Sequence, residues 1–366
     1  MRVCFFSGDI TRSGGTENVG VMIANALAQR PDYSVSFISL FEENAQPFFA
    51  IDTSIKCFTV YAQPMHGIQH YFDTCKRLKS LLKENHIDVL IDIDGVLDMY
   101  SLAVRRSTKV RVISWEHFNY LQNPDVPYRK ITRRWAARSA DAIVTLTKAD
   151  KHLYETNLKL RCPVVAIANP MAEPQAEPQY DLSSRLIISS GRLTYQKGFD
   201  LLVEVAARVL PQHPDWKWSI LGEGEDRAML EQKIKEAHLD SQLILEGRVD
   251  DMGAWYRRAA LFVLTSRFEG LPMVLLEAKA NRLPIVSFDC PTGPADIIRD
   301  GVNGDLIPEG DVESMAIKIN VLIDNNQRRI DYAQASGLDE ERFRLDAIMD
   351  SWESLMAKVV KERGHA

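Results

Sequence analysis

Two glutamates frame a short turn in SRFEGLPMVLLEAKA, the stretch that begins at residue 266. Pro272 predicts the start of a helix, because proline is favoured in the first turn, where its missing N–H would have no partner anyway. Free amides at the positive end of a helix can bind a diphosphate. Helical side chains lean toward the N-terminus, so Glu277 would accept the hydroxyls of a bound ribose, and Glu269 would lie near the group that the phosphates carry. Surface glutamates that favour the helix dipole would explain the same pattern. The amides expected to stay free are those of Met273, Val274 and Leu275.

A second pattern carries positive charge. In SSGRLTYQKGFDLL, residues 189–202, a predicted strand ends and Arg192 and Lys197 surround a short turn that opens a helix near Gly198. Two cations five residues apart at the carboxyl edge of a strand can hold a diphosphate and stabilise it as it leaves. Ordinary solvated cations would give the same spacing.

A third pattern is rich in glycine. SGDITRSGGTENVGVMIANAL, residues 7–27, predicts a strand, a loop with Gly14 and Gly15, and a helix. Paired glycines let a backbone approach a ligand closely, although many first turns of this kind carry glycine for packing.

Short β-branched runs alternate with helical patterns on both sides of PMAEPQAEPQYD, whose three prolines cannot join a sheet ladder. Such alternation predicts βαβ units and parallel sheets. We therefore predict an α/β protein with two doubly wound, Rossmann-like domains that face a cleft. The expected parts are a first domain at 1–170, a Pro-rich linker at 171–182, a second domain at 183–340, and a last helix within 341–366 that could pack back on the first domain. The predicted strands are RVCFFSG, YSVSFISLF, DVLIDID, VRVISWE, DAIVTLT and VVAIAN, then RLIISSG, KWSILGEG, LILEG, LFVLTS and LPIVSFD.

Composition narrows the class of protein. The chain has 366 residues, more than one core usually serves. No apolar run reaches the roughly 18 residues that a membrane span needs, and the opening MRVCFFSGD is typical of a first strand, so we expect a cytoplasmic protein. The five cysteines are scattered without a CxxC pair, which favours reduced thiols over structural zinc. Residues 1–170 carry a net charge of +4 and the rest carries −10, which suggests different tasks for the two halves.

Together the motifs resemble the retaining glycosyltransferases of family four, which have the GT-B architecture. FEGLPMVLLEA is similar to the family's E-x7-E signature, SGRLTYQKG to its Arg/Lys phosphate motif and GGTE to its N-terminal glycine loop. LGEGEDRAML and ILEGRVDDMGAWY look like the segments around the nucleobase, so the resemblance covers nearly the whole chain. PTGPADII and SWEHF also resemble bacterial transferases that build lipopolysaccharide, O-antigen or capsule.

The resemblance implies a role for each matching position. Glu277 would hold the nucleotide ribose, Glu269 would lie beside the donor sugar, and Arg192 and Lys197 would grip the diphosphate. His117, between Trp115 and Phe118, would lie near the transferred sugar, although a histidine in such company could equally be a packed core residue. The other implied donor contacts are Gly15 near the distal phosphate, Gly247 and Arg248 near the base through main-chain contacts, and the amides of Met273, Val274 and Leu275.

The implied activity is retaining, metal-independent transfer of a hexose or N-acetylhexosamine from a UDP-sugar, without a cofactor. The acceptor would be a saccharide, expected to be lipid-linked, in the synthesis of bacterial surface polysaccharide or lipopolysaccharide. Arg192, Lys197 and the helix dipole would stabilise the departing diphosphate. Two routes stay open: proton transfer to a phosphate oxygen, or Glu269 as a transient nucleophile.

Two other activities are compatible with parts of the sequence. A nucleotide-sugar 2-epimerase shares the GT-B shape but needs cleft carboxylates and histidines that the sequence does not reveal. Asp92 and Asp94 in LIDIDGVLD resemble the motif of a magnesium-dependent phosphatase, although a buried strand that turns at Gly95 explains them as well.

A basic helix is predicted from YRKITRRWAAR, residues 128–138. Arg129, Lys130, Arg133 and Arg134 would contact an anionic membrane or the acceptor, at about 1 kcal/mol per cation near a membrane surface. This pattern predicts a peripheral enzyme at the inner face of the cytoplasmic membrane, and an ordinary solvated helix is the alternative. Nucleic acid is not an expected partner, because the basic residues form no stacking platform.

Overall fold

The computed structural model describes residues 1–64, 67–122, 128–171 and 180–361, without the side chains of residues 67 and 68. It divides the chain into two compact units, Met1–Pro170 with Phe343–Ala366, and Met171–Arg342. Residues 172–179, which make up most of the predicted linker, lie outside the described residues.

The first unit is built on a parallel sheet. Its strands are β1 (Arg2–Ser7), β2 (Ser34–Ser39), β3 (Lys56–Thr59), β4 (Val89–Ile93), β5 (Arg111–Trp115), β6 (Ala142–Thr145) and β7 (Val164–Ala166). They lie in the order β3-β2-β1-β4-β5-β6-β7, and every paired strand runs parallel to its neighbour. The order reverses between β1 and β4. All five residues of β4 are buried, as expected for a strand covered on both faces.

Helices cover this sheet and one of them comes from the end of the chain. The helices of residues 1–170 are α1 (Gly15–Ala28), α2 (Tyr71–Glu84), α3 (Asp98–Thr108), α4 (Arg129–Ser139) and α5 (Lys148–Asn157). The C-terminal helix Leu345–Lys361 joins them: the ring centroid of Trp352 lies 4.9 Å from that of Trp115 at the end of β5. Arg30 after α1 forms a 3.2 Å ion pair with Glu353. The expected return of the last helix to the first unit is confirmed.

The second unit repeats the plan. Its strands are β8 (Leu186–Ser190), β9 (Lys217–Leu221), β10 (Leu243–Gly247), β11 (Leu261–Leu264), β12 (Ile285–Asp289) and β13 (Gly304–Pro308), in the order β10-β9-β8-β11-β12-β13. The order reverses between β8 and β11. Its helices are α6 (Phe199–Val209), α7 (Arg227–Glu236), α8 (Met252–Arg258), α9 (Met273–Ala280), α10 (Pro294–Ile297), α11 (Val312–Asp324) and α12 (Asn326–Ala335).

Helix α6 shows why these segments fold as they do. Phe199, Leu202, Val203, Ala206 and Val209 recur at helical spacing, and all five are buried in the core of the second unit. This apolar stripe packs the helix against the sheet while its polar residues face outward.

The two parallel, doubly wound sheets confirm the predicted fold class. The edge strands β3 and β13 were absent from the sequence prediction. Among the described residues, every helix is too short or too polar to traverse a bilayer.

Candidate functional site

Two loops meet where the strand order of the second sheet reverses. Loop 191–198 follows β8 and loop 265–272 follows β11, so both leave the same edge of the sheet at its switch point, where open α/β sheets bind ligands. The Arg267 amide donates to the Gln196 carbonyl oxygen at 2.8 Å, and the Thr265 hydroxyl donates to that of Lys197 at 3.1 Å. The Arg/Lys pattern and the first glutamate of the E-x7-E pattern therefore belong to one structure.

Gly198 is required by the close approach of these loops. Its φ is +62°, and a Cβ there would lie 2.1 Å from the carbonyl oxygen of Thr265. Any other residue would push the two loops apart.

Lys197 and Glu269 form an ion pair at this junction. The Lys197 ammonium donates to Glu269 Oε1 at 2.6 Å, and the Ser266 hydroxyl donates to the same oxygen at 2.7 Å. Glu269 is buried. The Glu269 carboxylate therefore holds the Lys197 ammonium at the switch point, next to loop 191–198. Arg192 on the same loop is exposed, and its guanidinium forms no hydrogen bond or ion pair with the residues that the structure describes. It is available to an anion.

The start of α9 differs in detail from the prediction. Pro272 precedes the helix, with an extended backbone (φ −71°, ψ 106°), and the first helical residue is Met273. The Leu275 amide donates to the Pro272 carbonyl oxygen at 3.0 Å. The expectation of three free amides is therefore wrong for Leu275, because the first turn of the helix uses its N–H. Within the described chain, the amides of Met273 and Val274 have no backbone acceptor.

Glu277 is paired with a residue that the sequence did not single out. The Tyr256 hydroxyl in α8 donates to Glu277 Oε2 at 2.7 Å. Burial raises the pKa of Glu277 above its ordinary value, and this hydrogen bond and the charge of Lys197 offset only part of that rise. The charge of Lys197 reaches this carboxylate, so the Arg/Lys pattern and the second glutamate lie in the same part of the second unit.

Gly247 and Arg248 lie at the end of β10. Gly247 is buried and has a φ of +78°, and a Cβ there would lie 2.9 Å from Glu223 Oε1. The Arg248 side chain is exposed. Their contact with a nucleobase stays a prediction.

The glycine loop of the first unit precedes α1, which begins at Gly15. A Cβ on Gly14 would lie 2.3 Å from Glu17 Oε2, whereas a Cβ on Gly15 would meet no heavy atom within 4 Å. The fold of the unit therefore leaves space at Gly15, and a need for glycine there would come from a ligand.

His117 lies just after β5 and is 8% exposed. Its ring centroid is 4.4 Å from that of Trp115, and its Nε2 atom has no hydrogen-bond partner within the described part of the chain. Burial lowers the pKa of His117 to about 4, so the imidazole is neutral near pH 7. A neutral, packed ring with an unpaired nitrogen can bond to a ligand hydroxyl at the cost of little reorganisation. The burial of His117 agrees with the interpretation as a packed residue, and its contact with the transferred sugar stays a prediction.

The predicted membrane contact is wrong for Arg129 and Arg133, which are only 2% and 3% exposed. Arg129 donates to Glu116 Oε1 at 2.9 Å and also pairs with Asp94, and Arg133 Nε donates to Glu116 Oε2 at 2.9 Å. Burial alone would raise the pKa of Glu116, but the charges of Arg133 and Arg129 outweigh it and hold that pKa below its ordinary value. These arginines face the sheet because carboxylates lie beneath α4.

The rest of α4 does face outward. Lys130, Arg134 and Arg138 are exposed at successive i, i+4 positions, and Ile131 beside them is 64% exposed.

Asp92 and Asp94 are structural residues. Asp92 is fully buried and accepts a hydrogen bond from Ser101, and Asp94 pairs with Arg129. A phosphatase nucleophile must reach its substrate, and Asp92 does not. In the described ranges, His, Cys, Asp and Glu form no group of three placed to hold a metal ion.

Two family models divide the chain between them. The model described as Glycosyltransferase Family 4 matches residues 13–171, and the one described as Glycosyl transferases group 1 matches residues 172–337. A glycosyltransferase of Haemophilus influenzae, described as uncharacterized, is 31% identical over 355 residues, which are 97% of this chain and 99% of the relative.

Two further proteins are similar over their whole length. An α-1,4-N-acetyl-D-galactosaminyltransferase of Campylobacter jejuni, named for the substrate GalNAc-α-(1→4)-GalNAc-α-(1→3)-diNAcBac-PP-undecaprenol, is 27% identical over 98% of this chain and 99% of its own. The crystal structure of Anabaena HepE in complex with UDP has a TM-score of 0.78 at 17% identity, and covers 98% of this chain and 100% of that chain. This structural likeness shows the fold.

Proposed function

Because the chain belongs to the glycosyltransferases of group 1 and family 4, we propose that it transfers a hexose or N-acetylhexosamine from a UDP-sugar to a saccharide, with retention of configuration. The observation that carries the proposal is the junction at the second switch point. There Lys197 is held on Glu269, the exposed Arg192 lies on the same loop, and two amides of α9 have no backbone acceptor.

The donor diphosphate would occupy this junction. Arg192 and Lys197 would neutralise it, and the amides of Met273 and Val274 would donate to its oxygens. In the free protein Glu269 holds Lys197 in place, so the cation needs little reordering when phosphate arrives. Negative charge grows on the diphosphate as the glycosidic bond breaks, and preorganised cations stabilise that charge most effectively.

Glu277 would bind the ribose and the main chain of Gly247 and Arg248 would contact the uracil. A carboxylate offers about four lone-pair sites, and Tyr256 uses one of them. The others can accept vicinal hydroxyls. The UDP bound by Anabaena HepE is consistent with this choice of base.

In the second unit the sugar would contact Glu269, and in the first unit His117 and Gly15 are the proposed contacts of the sugar and of the distal phosphate. The neutral His117 can donate or accept one hydrogen bond with a sugar hydroxyl. We propose that the reaction needs no bound metal or cofactor, since cations and a helix N-terminus supply the positive charge. The acceptor proton would pass to a phosphate oxygen, or Glu269 would act as a transient nucleophile.

We propose a lipid-linked saccharide acceptor in bacterial surface polysaccharide or lipopolysaccharide synthesis. The polyprenyl-linked substrate in the name of the Campylobacter relative supports this class.

The outer face of α4 is suited to a membrane surface. Lys130, Arg134 and Arg138 offer three cations beside the apolar side chain of Ile131. Arg138 also lines a pocket of about 460 Å³ together with Trp135, Arg106 and Arg161. Anionic head groups near such a surface contribute about 1 kcal/mol per cation.

The deciding experiment is calorimetric binding of UDP, GDP and ADP in EDTA, with the wild type and Glu277→Ala. Selective UDP binding that weakens at least tenfold in the variant is the expected result. Preference for another base would change the donor and keep the activity. A folded sample that binds no nucleotide would refute the proposed donor site.

A further inference from the structure

The hydroxyl of Tyr256 makes a short contact with the site that none of the roles above explains. It lies 2.7 Å from Glu277 Oε2, and the Tyr256 side chain is 2% exposed. We propose that Tyr256 is a positioning residue for the donor: its hydroxyl fixes the carboxylate of Glu277 in the orientation that receives the ribose. This inference rests on the proposed role of Glu277 in UDP binding.

The hydrogen bond has a defined direction. A phenol carries one proton, and the Val274 carbonyl oxygen at 3.5 Å is too distant to compete with the carboxylate. The donor stays protonated, since burial and then the charge of Glu277 raise the pKa of Tyr256 well above its usual value. Tyr256 therefore donates to the Glu277 carboxylate wherever that carboxylate is ionised.

The position of Tyr256 is itself fixed. Helix α8 begins at Met252 after Asp251, whose carboxylate accepts from the Ala254 amide at 2.9 Å. The Tyr256 ring packs against Phe262 of β11, with ring centroids 5.9 Å apart. The hydrogen bond from this hydroxyl thus fixes the Glu277 side chain of α9 relative to α8 and β11.

The contact leaves half of the carboxylate open. Oε2 accepts the phenol, and Oε1 of Glu277 has no partner in the part of the chain that is described. A glutamate in a helix has three rotatable side-chain bonds, so an unrestrained carboxylate would lose entropy on binding. Holding one oxygen in advance lets the other meet the ribose hydroxyls directly.

The test compares a ribose nucleotide with one that lacks its hydroxyls. Binding of UDP and of 2′,3′-dideoxyuridine diphosphate is measured by calorimetry for the wild type, Tyr256→Phe and Glu277→Gln. We expect Tyr256→Phe to weaken UDP binding about tenfold, about 1.4 kcal/mol. It should leave the affinity for the dideoxynucleotide within twofold of the wild type. The matched control is Tyr332→Phe, which removes another buried phenol of the second unit, one bonded to Arg328, and should change neither affinity.

Each outcome has one meaning. Unchanged UDP binding by Tyr256→Phe, with a clear loss in Glu277→Gln, would overturn the positioning role and leave the donor site standing. Equal losses for both nucleotides would show that Tyr256 is only a packing residue. Unchanged UDP binding by Glu277→Gln would overturn the ribose role, and the positioning role with it.

Discussion

Replacing each of two neighbouring arginines of α4 by alanine should have different effects on the free energy of unfolding. Arg133 is 3% exposed and Arg134 is exposed, although the residues are adjacent and of the same type. Arg133→Ala should lower the free energy of unfolding, whereas Arg134→Ala should change it by no more than about 0.5 kcal/mol.

The size of the Arg133 effect follows from its contacts. Its Nε atom donates to Glu116 at 2.9 Å, and its terminal nitrogens donate to the carbonyl oxygens of Tyr120 at 2.8 Å and Asn119 at 3.1 Å. Replacement leaves a buried carboxylate with one cation fewer and removes the Arg133 donor from the Tyr120 carbonyl oxygen, whereas the Asn119 carbonyl oxygen still accepts from the Gln122 amide at 3.2 Å. Removing one partner of a buried pair costs about 3–5 kcal/mol. We expect a loss in that range.

Urea unfolding, followed by circular dichroism and fluorescence, measures the difference, and hydrogen exchange of peptides from β4 and β5 assigns it to the first unit. Binding to vesicles that contain anionic lipid should show the reverse order, because only Arg134 faces solvent. Arg134→Ala together with Lys130→Ala should weaken vesicle binding, whereas UDP affinity should not change. A stability loss below 1 kcal/mol for Arg133→Ala would refute the buried network.

The pH dependence of this stabilisation has a definite sign. The pKa of Glu116 is lowered in the folded chain, since the charges of Arg133 and Arg129 outweigh burial. The contribution is therefore complete above the ordinary glutamate value of 4.5 and is lost as the pH falls through the folded-state pKa. In Arg133→Ala the acid side of the stability profile should become flatter.

Three further predictions concern catalysis and burial. Arg192→Ala and Lys197→Ala should each reduce the transfer rate about 100-fold, because each removes charge that stabilises the leaving diphosphate; unchanged turnover would exclude that residue from the site. His117→Ala should reduce kcat. The pH profile of the wild-type rate should show no inflection from His117 between about pH 6 and 8, because burial lowers the pKa of His117 to about 4. An inflection near pH 6.5 that disappears in His117→Ala would contradict this. Burial raises the pKa of Asp92 from its ordinary value of 3.8 to about 7, so the folded chain binds this proton more tightly than the unfolded chain, and stability should fall as the pH rises from about 4 to about 7. Urea unfolding of Asp92→Asn should show a smaller fall, and an identical slope would refute the argument.

Local sequence patterns predicted much of the fold. Continuous apolar runs such as VLIDI in β4 predict buried parallel strands, since both faces of such a strand are covered. The two edge strands were missed for a related reason. β3 (Lys56–Thr59) is largely exposed, and β13 begins at Gly304 and ends at Pro308, so neither carries the pattern of a buried strand.

The sequence by itself predicted which residues belong to a candidate donor site. Glycines, prolines, carboxylates and cations reveal turns, helix starts and charge locally, so the spacing singled out Arg192, Lys197, Glu269 and Glu277, and the resemblance to the family motifs implied their roles. What each charge faces is a property of the tertiary structure.

The basic helix α4 makes the difference plain. Its periodicity shows a row of cations, but Arg129 and Arg133 turn inward because Glu116 and Asp94 arrive from the ends of β5 and β4. Likewise, nothing near Tyr256 in the chain predicts its bond to Glu277, which lies 21 residues later. Whether a side chain is buried, and which group it pairs with, depends on the residues that the tertiary structure places next to it. The local spacing of residues does not contain that information.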